Sequence, residues 1–197
     1  MKNLTFAVPC LFGLEGIVGN ECKRLQFHNI RVENGRVLFD SDLGDMARAN
    51  LWLRSGERVL LRLAEFSARS FTELFDGVRA LPWEQFIPKD GAFPVKGHAL
   101  HSQLHSVPDC QSIVKKAVVE RLKSRYHLSW FAETGAKYQI QFGILRDTAS
   151  IYLDTSGPGL HKRGYRARAN EAPLRETLAA GMVELAHYRG REAVYDP

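Results

Sequence analysis

Apolar positions along the chain recur with two periods, and their order predicts a mixed α and β fold. "LTFAVP" at the N-terminal end is a short apolar run of strand length. Leu14, Ile17, Val18, Cys22 and Leu25 then recur at helical spacing, which predicts a helix from Leu14 to about Phe27. "NIRVENGRVLF" reads as two short strands meeting at Asn34-Gly35, a strong hairpin turn signal. A second helix is predicted from Leu43 to Leu53, with Asp42 or Asp45 in its first turn. In "ERVLLRLAEFSA", Val59, Leu61 and Leu63 alternate with Leu60 and Arg62, the pattern of a strand buried on at least one face. Strand, helix, two strands, helix, strand is the split βαβ arrangement, which fits into about 65 residues.

A second block follows a boundary expected within residues 55–70. "SFTELFDGVRAL" predicts a helix from Ser70 to Leu81, with Ser70 capping toward Glu73. Phe93, Val95 and Gly97 alternate with Pro94, Lys96 and His98, and the proline points to an edge strand or a strand start. A long helix from about Pro108 to Tyr126 comes next, and then "KYQIQFGILRD" and "ASIYLDTS" form a hairpin pivoting near Arg146-Asp147-Thr148. Leu174, Leu178, Met182 and Leu185 predict a last helix from about Ala172 to Tyr188, with Pro173 in its first turn. Ala193-Val194-Tyr195 has strand propensity and stands directly before Asp196-Pro197.

Charge adds a partner class to this outline. The net charge is +5 and the isoelectric point about 9.2. Its distribution is uneven: residues 1–88 carry 11 Lys and Arg against 11 Asp and Glu, whereas residues 89–146 are clearly cationic. Five further cations lie between Lys162 and Arg175. A basic middle and a basic knot near the end suit a polyanion, most simply nucleic acid. Three cysteines without CxxC spacing suit neither a disulfide framework nor a zinc ribbon, and fit a reducing cytoplasm. No apolar run approaches the length of a membrane helix. His98, His101 and His105 lie within eight residues but have no suitable fourth ligand nearby, so no metal site is expected.

Two segments carry candidate chemistry. The long helix holds Lys115, Lys116, Arg121, Lys123 and Arg125 against a lone Glu120; a solvated face with local ion pairs is the bland account, and five cations in eleven residues favour phosphate contacts to RNA. Lys96 precedes it on the predicted edge strand. Residues 157–180 read "GPGLHKRGYRARANEAPLRETLAA", where His161, Lys162, Arg163, Arg166 and Arg168 surround Tyr165. Cations there can hold phosphates while the tyrosine stacks on a base. A plain charged linker is the competing account.

"SGPGLHKRGYR", "APLRETLAA" and "VYDP" resemble the linker and first catalytic-domain elements of the bacterial THUMP-domain guanine-N2 RNA methyltransferases, the RlmL/YpsC-like family. "FAVPCLFGLEGIVGNECKRL" resembles that family's opening strand and helix. The resemblance implies an α+β chain: a ferredoxin-like domain at 1–60, a THUMP RNA-binding domain at 61–155 (the family span beginning near 45), and at 156–197 a linker with the first helix and strand of a Rossmann-like methyltransferase domain. It further implies binding of structured RNA, large-subunit (23S) ribosomal RNA in the closest members, with one guanine positioned for methylation. Lys96, Lys115, Lys116, Lys123, His161, Lys162, Arg163, Tyr165 and Arg166 are the expected RNA contacts.

In the family, "DP" leads into a glycine-rich loop that holds S-adenosylmethionine, and an Asn/Asp-Pro-Pro-Tyr/Phe element aligns the guanine. Neither occurs in this sequence, so no catalytic or cofactor-binding residue is expected here. S-adenosylmethionine is expected only for the complete enzyme, with its catalytic domain supplied in cis or in trans. The chain alone should be inactive. Its tail from Arg168 onward should be loosely held or ordered by self-association, because the last helix and strand would lack their partners. A stand-alone ferredoxin-like regulatory or interaction module, or a THUMP module of another RNA-modifying enzyme, is the alternative.

Overall fold

A computed structural model describes residues 4–166, 173–188 and 190–195. Ala172, Arg168 and Asp196-Pro197 fall outside them. The chain divides into two compact units, residues 1–60 with 158–197 and residues 61–157.

In the first unit the strands are β1 (Leu4–Pro9), β2 (His28–Glu33) and β3 (Arg36–Ser41), in the sheet order β2-β3-β1. The hairpin forms at the predicted Asn34-Gly35, with Gly35 at φ +74°, and Val32 pairs with Val37. β3 runs antiparallel to β1, with Phe39 opposite Phe6. Two helices, α1 (Glu15–Arg24) and α2 (Leu43–Trp52), occupy the expected stretches. Rings stack through the core, Phe27 on Phe39 at 4.3 Å and Phe6 on Phe39 at 5.3 Å. Val18, Cys22, Ala49 and Leu53 are fully buried with them.

Local hydrogen bonds fix the ends of these elements. The Glu15 carboxylate accepts from the Gly13 and Gly35 amides at 2.8 and 2.9 Å, tying the hairpin turn to the start of α1. Those amide donors, Gly35 first, hold the Glu15 carboxyl below the usual carboxylate range. Asp42 caps α2 by accepting from the Asp45 amide. Glu21 is a buried carboxylate on α1 that accepts from the Arg54 and Ser55 amides and from the Ser55 hydroxyl. It thereby pins the segment leaving α2.

The second unit has the sheet order β4-β7-β6-β5, from β4 (Leu60–Ser67), β5 (Val95–Leu100), β6 (Ile140–Leu145) and β7 (Thr148–Asp154). β4 contributes Leu60 to the first unit and its remaining residues to the second. Ser70 caps α3 (Phe71–Arg79) through the Glu73 amide as expected, and α4 (Val107–Tyr126) has Pro108 in its first turn. β5 starts immediately after Pro94 and ends the sheet, so the proline marks both a strand start and an edge. β5 pairs parallel to β6, a geometry that requires the α4 crossover between them. Arg146 and Asp147 both take positive φ, 49° and 61°, making the two-residue turn between β6 and β7. Ile140, Phe142 and Ile144 are buried on one face of β6 with Val114, Ala117, Val118 and Leu122 of α4.

The C-terminal segment differs from expectation in two ways. The last helix, α5, spans Glu176–Leu185, so Pro173 precedes it rather than opening it. Leu174, Met182 and Leu185 are exposed, as expected of a face without its partner. The opposite side is nevertheless docked on the first unit. Thr177 and Gly181 are buried, and Arg24 forms a two-pronged pair with Glu184 at 2.8 and 2.9 Å. A Cβ on Gly181 would lie 2.8 Å from a Leu14 methyl, so the Leu14 side chain packs directly on this glycine. α5 is therefore held by contacts within the chain. Ala193-Val194-Tyr195 forms no strand, and Val194 and Tyr195 are exposed. Propensity alone cannot make a strand; its backbone groups need a neighbouring strand, and none pairs with these residues among the described ones.

Candidate nucleic-acid interface

The expected RNA-binding cations divide into groups that the two units position differently. On α4 of the second unit, Lys116 is exposed and Lys123 stands 3.5 Å from Glu120 on the same helix. Lys115 is engaged inside the unit. Its Nζ donates to the Phe93 carbonyl at 3.1 Å and to Glu133 Oε1 at 2.6 Å, and lies 3.6 Å from the Phe93 ring centroid. A carbonyl, a carboxylate and a ring already surround this ammonium, so Lys115 serves the packing of α4 on the sheet edge. Arg121 is likewise held, with Nε and Nη2 donating to the Glu84 carboxylate at 2.9 and 2.6 Å. That guanidinium holds the Glu84 carboxyl below the usual range, with Arg125 3.3 Å away adding to the effect.

Lys96 stands on the other side of the sheet. Strand alternation puts Val95, Gly97 and Ala99 on the face carrying Phe142, where a Cβ on Gly97 would lie 2.4 Å from that ring. Lys96 and His98 fall on the opposite face and are exposed. Lys96 and Lys116 are therefore on different faces of this unit. Lys116 instead borders an open groove with Pro94, Val95, Gln111, Ser112 and Lys115, along the free edge of β5. Among the described residues, no group of three His, Cys, Asp or Glu side chains is arranged to hold a metal ion. His98 lies over Gly143, and His105 Nδ1 stands 3.0 Å from the Gln103 carbonyl.

The linker cations belong to the first unit, where Glu57 organises the segment. The Glu57 carbonyl accepts from the Leu160 amide at 2.9 Å, and its carboxylate accepts from the Thr177 hydroxyl at 2.8 Å. The same carboxylate lies 3.4 Å from Arg175 and 3.5 Å from His161 Nδ1. That imidazole nitrogen is buried and has no hydrogen-bond partner among the described residues, so His161 is packed against Glu57 rather than displayed to a ligand. Arg163 donates to the Asn50 carbonyl in the last turn of α2. A guanidinium there also compensates the negative end of the helix dipole. Arg166 donates to the Leu174 carbonyl at 2.8 Å. Lys162 and Tyr165 remain exposed, the tyrosine by 75%.

Sequence patterning named the cations but missed the groups that sort them. Glu57, Glu84, Glu133 and the Asn50 carbonyl have no local signature, because each meets its cation across tens of residues of chain. The three thiols are shifted away from the thiolate form. Burial pushes both Cys10 and Cys22 up to about 12, and it raises Cys110 as well. No helix among the described residues is long and apolar enough to cross a membrane.

Comparison with known proteins gives this surface its context. The chain is 45% identical over its whole length to the proposed RNA methyltransferase YpsC of Bacillus subtilis (strain 168), of which it spans 51%. It is 33% identical, over 98% of its length, to the ribosomal RNA large subunit methyltransferase K/L of Psychromonas ingrahamii (strain DSM 17664 / CCUG 51855 / 37), covering 26% of that protein. The chain thus spans about half or less of the curated relatives it matches. Its fold superposes with a TM-score of 0.86 on SMU.472, a proposed methyltransferase complexed with SAH, at 41% identity over 95% of this chain and 50% of the other. The RlmL ferredoxin-like domain matches residues 5–60, the THUMP domain residues 68–154, and the RMKL-like methyltransferase domain residues 163–197. In this order, the chain carries a ferredoxin-like domain of the RlmL type, a THUMP domain and the beginning of an RMKL-like methyltransferase domain.

Proposed function

We propose that this chain is the RNA-recognition portion of an S-adenosylmethionine-dependent ribosomal RNA methyltransferase, and that it positions one guanine of large-subunit RNA for N2 methylation. The observation that carries this reading is the exposed Lys116 beside the open groove at the β5 edge, in the span that matches the THUMP domain. An edge groove with an unpaired ammonium offers phosphates a contact that costs no internal ion pair. Lys96 adds exposed charge on another face of the same unit, and Lys162 is exposed on the first unit. A large-subunit methyltransferase among the relatives supports the choice of RNA, and the SAH complex of SMU.472 supports the methyl donor. In this reading the chain's own residues contact the RNA.

Two neighbouring lysines make the test. K116A should weaken binding to ribosomal RNA fragments and lower the salt slope by about one, at unchanged thermal stability. K115A should lower the thermal midpoint and leave the salt slope unchanged, because Lys115 spends its donors on Phe93 and Glu133. Absence of RNA binding at low salt in the wild-type chain would overturn the reading.

A further inference from the structure

The Arg163 contact brings two distant stretches together. Residues 113 apart in sequence meet where its guanidinium reaches the Asn50 carbonyl, at the C-terminal turn of α2. That turn ends in Leu51 and Trp52, exposed by 70% and 61%. The linker arriving there presents Lys162 and Tyr165 to solvent. Two exposed aromatic rings thus stand on segments joined at the Arg163 contact, each two residues from it, with Lys162 adjacent to Arg163 in sequence. The Trp52 indole is mostly exposed, whereas Trp83 of the second unit is fully buried with its Nε1 donating to the Val78 carbonyl.

We propose that Trp52, with Tyr165 and Lys162, forms a stacking site for an unpaired segment of RNA on the first unit. The inference rests on the RNA-binding reading above and adds to it a second contact, in the ferredoxin-like span. Charge selects the occupant. Leu43 and Ala47 continue the exposed apolar stripe toward the N-terminus of α2, beside Asp42 and Asp45, an end that suits no polyanion. At the Trp52 end the helix terminus is instead met by Arg163, which Lys162 immediately precedes in sequence. A bare helix C-terminus would repel a phosphate, so the Arg163 cap is what makes this end usable. Stacking needs bases with free faces, which unpaired RNA offers and a duplex does not.

Fluorescence and affinity test the site in the full 197-residue chain. In a W130F background, the remaining indoles are the buried Trp83 and the exposed Trp52. Saturation with a single-stranded RNA oligonucleotide should quench the exposed component, and the duplex of the same sequence should quench it far less. W52A should weaken single-strand binding about fivefold to a hundredfold, with W52F retaining most of the affinity and the salt slope unchanged. If wild-type RNA affinity is intact and W52A binds equally well, or the indole signal does not change at saturation, the site is refuted while the broader reading survives. Wild-type failure to bind RNA would sink both. Concentration-dependent self-association abolished by W52A, with RNA affinity unaffected, would reassign the patch to a second copy of the chain.

Discussion

Removing the Glu57 carboxylate should release the C-terminal segment from the first unit. Its Oε1 accepts from the Thr177 hydroxyl at 2.8 Å, and Thr177 is only 1% exposed. In E57A that hydroxyl stays buried without this acceptor, a loss of about 1–3 kcal/mol. The Arg175 pair is long and its guanidinium half-exposed, so it adds no more than about 0.5 kcal/mol. The backbone bond from the Leu160 amide to the Glu57 carbonyl survives the substitution. About 2 kcal/mol remains as the expected weakening of α5 docking, roughly a thirtyfold rise in its opening equilibrium. Hydrogen exchange reads this directly: α5 amides such as Ala179 and Ala186 should exchange about thirtyfold faster in E57A, while amides of α1 and β3 keep their protection. E57Q retains an oxygen for Thr177 and should lose well under half as much. Unchanged α5 protection in E57A would refute the role given to Glu57. Equal loss throughout the first unit would show that α5 and the core open together.

Two further predictions concern the second unit. G97A should destabilise it by about 2 kcal/mol in chemical denaturation, because the added Cβ would lie 2.4 Å from the ring of Phe142, which has no room to move; an unchanged midpoint would mean that β5 shifts freely. The Arg121 pair lowers the Glu84 carboxyl, so its contribution is full above the ordinary carboxylate range and disappears as pH falls through the lowered value. E84Q should therefore flatten the acid limb of a urea midpoint profile, by about 1 kcal/mol for this partly exposed pair.

Much of the architecture was legible in the sequence because its signals are local. The alternation in "KYQIQFGILRD", the Asn34-Gly35 turn, the Ser70 cap and Pro94 before β5 each act within a few residues, and each element formed near its expected place. The family resemblance was legible for a similar reason, since "SGPGLHKRGYR" and "APLRETLAA" are contiguous.

What the sequence alone could not determine is which cations are free. Lys115 and Lys116 are neighbours with identical side chains, but a helix turns about 100° per residue. One ammonium therefore reaches Phe93 and Glu133 while the other faces solvent. His161 and Arg163 looked like ligand-facing members of a basic cluster, until folding set one against Glu57 and the other on the Asn50 carbonyl. The reverse holds for α5: its apolar stripe announced an unmet face, and only the tertiary structure showed Gly181 and Thr177 docking the other side. Periodicity and turn chemistry are properties of adjacent residues, so one chain suffices to read them. Occupancy of a charge depends on partners that the chain brings from afar, and that was decided only when it folded.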